Sequence, residues 1–72
     1  MADWIVDNPR DLGRRIRERR IGLGLTQIDV AGVARVTPRL VGELEGGKET
    51  ARIDGVLRVL AALGLDVHLR TR

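Results

Sequence analysis

Apolar positions along the chain recur at helical spacing in four stretches and at every second position in a fifth. In the first stretch, "DNPRDLGRRIRERRIGLG", Leu12, Ile16 and Leu23 fall on one stripe, joined by Arg19 or Arg20. Asn8 or Asp7 can cap this helix, Pro9 suits its first position, and Gly24 is its natural stop. Gly13 and Gly22 weaken it by up to about 1 kcal/mol each where they are interior. "LTQIDVAGVA" predicts a second helix capped by Thr26, with Val30, Ala31 and Val33 or Ala34 as its packing face. "VTPRLVGELE" predicts a third. Thr37 caps it, Pro38 takes the first position, Val41 and Leu44 point inward, and Gly46-Gly47 ends it. "RIDGVLRVLAALG" predicts a fourth, with Ile53, Val56, Leu57, Leu60 and Leu63 inward and Gly64 as its stop. In the tail, Leu65, Val67 and Leu69 alternate with Asp66, His68 and Arg70, the pattern of a half-buried strand. A lone strand needs a mate. The candidates are the same tail of a second subunit and the stretch Trp4 to Val6.

Seventy-two residues make a single domain whose modest core leaves it marginally stable on its own. With no cysteine there is no disulfide and no thiolate metal site, and the lone His68 builds no zinc site. The remaining support is a partner chain, most simply a second copy. No apolar run reaches the roughly 20 residues that span a bilayer. The acidic segment Met1 to Asp7 is unlike a signal peptide, so the expectation is a soluble, cytoplasmic protein. Catalysis finds little support. The chain has no serine, no paired carboxylates stand out, and "GLGLT" is a helix stop, not a phosphate loop. No cofactor or small-molecule ligand is implied.

The net charge of +3 is unevenly spread, with Arg10, Arg14, Arg15, Arg17, Arg19 and Arg20 crowded into the first helix. Such a cluster is either an electrostatic footprint for phosphate or a solvated helix face, and charge alone favours the face slightly.

Two short helices joined by a tight turn form the helix-turn-helix arrangement. Counted from Gln27, the motif's fifth position must be small, and it is Ala31. Its tenth, fifteenth and eighteenth must be apolar, and they are Val36, Val41 and Leu44. The ninth position favours glycine, because the turn asks for a positive φ. Here it is Arg35, which costs roughly 1–2 kcal/mol in left-handed geometry. Either the turn is reshaped, or Arg35 is tolerated and reaches a phosphate.

Around this motif, "LGRRIRERRIGLGLTQ" and "ELEGGK" resemble the Xre/Cro-type family of helix-turn-helix repressors. Within it, the leading "WIVDNP" and the "RVLAALGL" before the tail are most similar to HipB-like antitoxins. The resemblance implies an all-α, lambda-repressor-like domain of four to five helices, followed by a C-terminal strand that pairs across a homodimer. It divides the chain into an arm over 1–8, a DNA-binding domain over 9–64 and a strand over 65–72. It implies that Thr37, Pro38, Arg39, Gly42 and Glu43 face the major groove, with Arg39 as the best base reader. Gln27, and Lys48 with the amides of Gly46 and Gly47, correspond to phosphate contacts. Arg20 and Glu45 correspond to a structural ion pair, and Leu65, Val67 and Leu69 to dimerisation. The implied function is repression of its own operon from double-stranded operator DNA, with a HipA-like kinase toxin as partner. The rivals are a stand-alone repressor and an interaction module that has lost DNA binding, the latter on account of Glu43, Glu45 and Glu49. Trp4 is read as an apolar anchor at a dimer or toxin surface, and His68 as solvent-exposed.

Overall fold

The computed structural model of the chain describes residues 3–72, so Met1 and Ala2 of the expected arm lie outside the described residues. Four helices follow one another: α1 (Pro9–Gly22), α2 (Gln27–Ala34), α3 (Pro38–Glu45) and α4 (Ile53–Ala62).

Three of the helices start where a side chain satisfies an orphan amide. Asn8 Oδ1 accepts from the Asp11 amide at 2.8 Å, and Thr37 Oγ1 accepts from the Leu40 amide at 3.1 Å. Thr26 and Asp29 cap each other reciprocally, at 3.0 and 2.8 Å. All four helices end in the same way. A residue in the left-handed region follows each one, and the next amide reaches back five residues to a carbonyl. These left-handed residues are Gly24, Arg35, Gly47 and Gly64. The amides of Leu25, Val36, Lys48 and Leu65 donate to Arg20, Ala31, Glu43 and Leu60 at 2.9–3.1 Å.

Helices of eight residues are marginal in water, so packing must hold α2 and α3 in place. The core is Ile16 from α1, Val30, Ala31 and Ala34 from α2, Val41 and Leu44 from α3, and Val56, Val59, Leu60 and Leu63 from α4 and its end. Helix α1 crosses the end of α3 at Gly13. A Cβ there would lie 2.1 Å from the Leu44 carbonyl oxygen and 2.8 Å from that of Glu45. What reads as a weak point of α1 is therefore the condition for its closest contact.

Several expectations fail. Ile53 and Leu57 are 69% and 47% exposed, because the buried side of α4 is centred on Val56, Val59 and Leu60, one stripe further round. Leu23 is also exposed, since it caps α1 where the chain has already begun to turn away. In α2 the open choice between Val33 and Ala34 falls to Ala34, which enters the core as one of the two expected residues. No β-strand exists among the described residues, so the expected strand over 65–72 is not formed. Leu65 packs against the core, but Val67 and Leu69 are exposed, and Trp4 to Val6 does not pair with them. A strand needs a hydrogen-bonding neighbour, and this chain does not bring one to its own tail.

Gly13→Ala would raise the helix propensity of α1 by up to about 1 kcal/mol. The clash with α3 reverses that sign, and the variant is expected to lose at least about 2 kcal/mol. A thermal melt should show the midpoint fall by about 10 °C; an unchanged or higher midpoint would refute the close crossing.

Candidate nucleic-acid interface

The anchors of the motif are inside. Ala31, Val41 and Leu44 are buried and Val36 is half-buried, which fixes α3 against α2 and α4. The outer side of α3 is left to solvent. Thr37, Pro38 and Arg39 are exposed at its start, and the Arg39 side chain is 87% exposed. Arg39 has one charged neighbour. Its Nε lies 3.7 Å from Glu43 Oε1, one turn on, and Lys48 Nζ donates to Glu43 Oε2 at 2.6 Å. The Lys48 bond, then the charges of Lys48 and Arg39, hold the Glu43 carboxyl below its usual range. Arg39, Glu43 and Lys48 therefore line one edge of α3, with the Glu43 carboxylate between the two cations.

Gln27 opens α2, and its Nε2 donates to Glu45 Oε1 at 3.3 Å. It faces Gly42, where an added Cβ would make only ordinary contact, 3.4 Å from the Gln27 side chain. Packing therefore does not require glycine at 42. Gly47 lies in the loop after α3, beside Arg10 of α1.

The turn is not reshaped around Arg35. At φ 59 and ψ 46 the residue takes the left-handed conformation and caps α2, the only non-glycine to do so among the described residues. Its side chain is exposed and makes no hydrogen bond or ion pair among them.

Beneath α3, Arg20 and Glu45 form the expected pair. Arg20 Nε and Nη2 donate to the two Glu45 oxygens at 2.6 and 2.9 Å, and Nη1 donates to the Leu25 carbonyl at 3.0 Å. The Glu45 side chain is 4% exposed. Burial pushes its carboxyl upward, but the bonds from Arg20 and Gln27 and the charges of Arg20 and Arg17 outweigh this and leave it below its usual range.

The basic cluster of α1 divides around the helix. Arg14 pairs with Asp11 and Arg15 with Glu18, while Arg19 Nε donates to the Leu63 carbonyl at 2.9 Å. The Arg15 guanidinium also stacks 4.9 Å above the Trp4 ring, which lays the arm along α1. Sequence reasoning missed two of these roles. Arg19 and Arg58 each cap the end of another helix, Arg58 Nε donating to the Ala34 carbonyl at 3.1 Å. Only an arginine's spacing from its own helix is visible in sequence; the carbonyl it reaches is not.

Residues 11–72 match the family described as a helix-turn-helix domain. This chain belongs to that family. Over 64 residues the domain is 41% identical to an HTH-type transcriptional regulator of Sinorhizobium fredii, y4mF, itself uncharacterised, with 89% of this chain and 84% of that one aligned. Its fold matches that of a HipB variant in complex with an O2 20mer at a TM-score of 0.89, over 97% of both chains and at 17% identity. It also matches the restriction-modification controller protein C.AhdI of Aeromonas hydrophila at a TM-score of 0.72 and 28% identity, covering 81% of this chain and 88% of that one. The resemblance to Xre/Cro-type proteins, HipB among them, is thus borne out for the domain family and the fold.

Glu45→Ala strands Arg20 without its acceptor and is expected to cost about 2–4 kcal/mol. The pair's stabilisation is complete above the ordinary glutamate pKa of about 4.3 and is lost as pH falls through the lower value of the folded state. Acid titration followed by circular dichroism should therefore show a stability decline below about pH 4 that Glu45→Gln lessens. At the turn, Arg35→Gly removes the left-handed cost but adds freedom to the unfolded chain. The expected net gain is about 0.5–1 kcal/mol. A melting point that does not rise would mean that Arg35 is not strained.

Proposed function

We propose that this domain is a sequence-specific DNA-binding repressor that acts as a homodimer on a palindromic operator. The observation that carries this reading is the start of α3: an exposed, charge-braced Arg39 on a helix whose other side is locked into the core. A guanidinium so presented can bond guanine O6 and N7 together in the major groove. Thr37 and Pro38 lie at the same end, and Gly42, which packing does not require, lets the α3 backbone approach the duplex. Glu43 steadies Arg39 in the free protein and is free to accept from a cytosine amine when bound. Gln27, Arg35, Gly47 and Lys48 surround this end and serve as phosphate contacts. Lys48 then exchanges Glu43 for phosphate, and Arg35 uses the side chain that its strained backbone leaves unpaired. The division into arm, DNA-binding domain and tail belongs to this reading, with Leu65, Val67 and Leu69 of the tail contributing to the dimer.

By its likeness to HipB in fold, we assign the domain to an autoregulating toxin-antitoxin operon with a HipA-like kinase toxin as partner. The stand-alone repressor is the second reading; the 41% identical relative is named an HTH-type transcriptional regulator. The product encoded beside the gene, added to a mobility shift, separates the two.

Arg39→Ala is expected to cost about 1–3 kcal/mol on the chain's own upstream DNA and to relax preference at one base pair. A mobility shift over a salt series checks this. Affinity should fall steeply with salt for both proteins, because phosphate contacts release counterions. A flat salt response would count against the DNA-binding reading itself, and an equal loss on random DNA would mean that Arg39 touches only the backbone.

A further inference from the structure

Lys48 is already occupied in the free protein. Its Nζ donates to Glu43 Oε2 at 2.6 Å, whereas Arg39 Nε stands 3.7 Å from the other oxygen of the same carboxylate. The Glu43 side chain is 30% exposed and that of Lys48 37%, against 87% for Arg39. Water therefore screens the Lys48 pair less than the Arg39 contact. The main chain sets this pair up. Gly47 takes a left-handed φ of 87°, and the Lys48 amide donates to the Glu43 carbonyl at 3.0 Å. The backbone of Lys48 is thus tied to that of Glu43 whatever the two side chains do. The neighbouring carboxylate of Glu45 is taken by Arg20 and Gln27. Glu43 occupies the place that an external anion would take between Lys48 and Arg39.

We propose that Glu43 is an internal stand-in for a DNA phosphate, which withholds Lys48 from the duplex until a base in the groove takes the carboxylate. The inference rests on the DNA-binding reading above and adds a coupling to it. Base readout by α3 and phosphate contact by the loop after α3 become one event. On random DNA the Glu43 carboxylate meets no fixed donor and keeps Lys48. One phosphate contact is then missing, and a carboxylate stands close to the phosphates and repels them. Over a cytosine whose amine points into the major groove, the carboxylate accepts from that donor and Lys48 turns to the phosphate. Specificity then comes from weakening the wrong complex as well as from contacts in the right one.

The test is a mutant cycle on the full chain: Glu43→Gln, Lys48→Ala and the double variant, with circular dichroism melts to confirm folding. Each protein is titrated by fluorescence anisotropy, over a salt series, against the chain's own upstream DNA and a random duplex of equal length. Glu43→Gln keeps the size of the side chain and removes its charge. It should bind random DNA about fivefold tighter than the native chain does. Its salt slope on random DNA should be steeper by about one phosphate contact, and the double variant should lose that contact again. Lys48→Ala should keep the native slope on random DNA and lose about one contact on the upstream DNA. Three results would overturn the proposal. In the first, Glu43→Gln binds random DNA no tighter and with the native slope, so the carboxylate withholds nothing. In the second, Lys48→Ala lowers the slope equally on both duplexes, so Lys48 reaches phosphate without any base readout. Both leave the DNA-binding reading standing. In the third, the native chain binds neither duplex, and that reading falls together with the inference.

Discussion

The carboxylate of Glu45 is the joint on which the helix pair turns. It ends α3, yet it is held by Arg20 of α1, twenty-five residues earlier, and by Gln27 at the start of α2. A buried ion of either sign is costly when alone, so α1, α2 and α3 are confined to arrangements in which this one is paired. Gly13 sets the other half of the constraint. It lets the backbone of α1 rest against the last carbonyls of α3, and Arg20 lies two turns further along the same face. Close approach and ion pair together fix the pose of a two-turn helix that has little stability of its own.

Arginine also closes helix ends that local sequence leaves open. Arg19 donates to the Leu63 carbonyl after α4, Arg58 to the Ala34 carbonyl at the end of α2, and Arg20 to the Leu25 carbonyl beyond α1. Arg19 and Arg58 each place a cation where a helix dipole is negative and satisfy an acceptor that has no partner within its helix. A planar guanidinium suits this work, because one group can serve a carboxylate and a carbonyl at once, as that of Arg20 does. The consequence for function is selective. Of the arginines crowded into α1, Arg19 and Arg20 are engaged inside the protein, whereas Arg39 and Arg35 project from α3 and the turn before it.

The domain is built with little reserve. Its core residues are mostly valine, leucine, isoleucine and alanine from short helices, Gly42 interrupts α3, and Arg35 stands where a glycine would relax the turn.

The limits of all four helices were legible in the residues alone. So were the caps at Thr26 and Thr37, a cap at Asn8 or Asp7, the stops at Gly24, Gly46-Gly47 and Gly64, and the motif anchors Ala31, Val36, Val41 and Leu44. These depend on interactions within a few residues, which spacing records directly. Arg35 was legible as a misfit for the same reason, but whether the turn or the residue gives way was settled only by its φ of 59° in the fold. Tertiary structure alone decided the rest. An apolar repeat along α4 does not say which stripe faces the core, so Val59 is buried where Ile53 and Leu57 were expected. A glycine in a helix reads as a weakness until another backbone is found against it, as at Gly13. Alternation in the tail marks residues able to form a strand, but pairing needs a second strand brought near, and no local pattern supplies one.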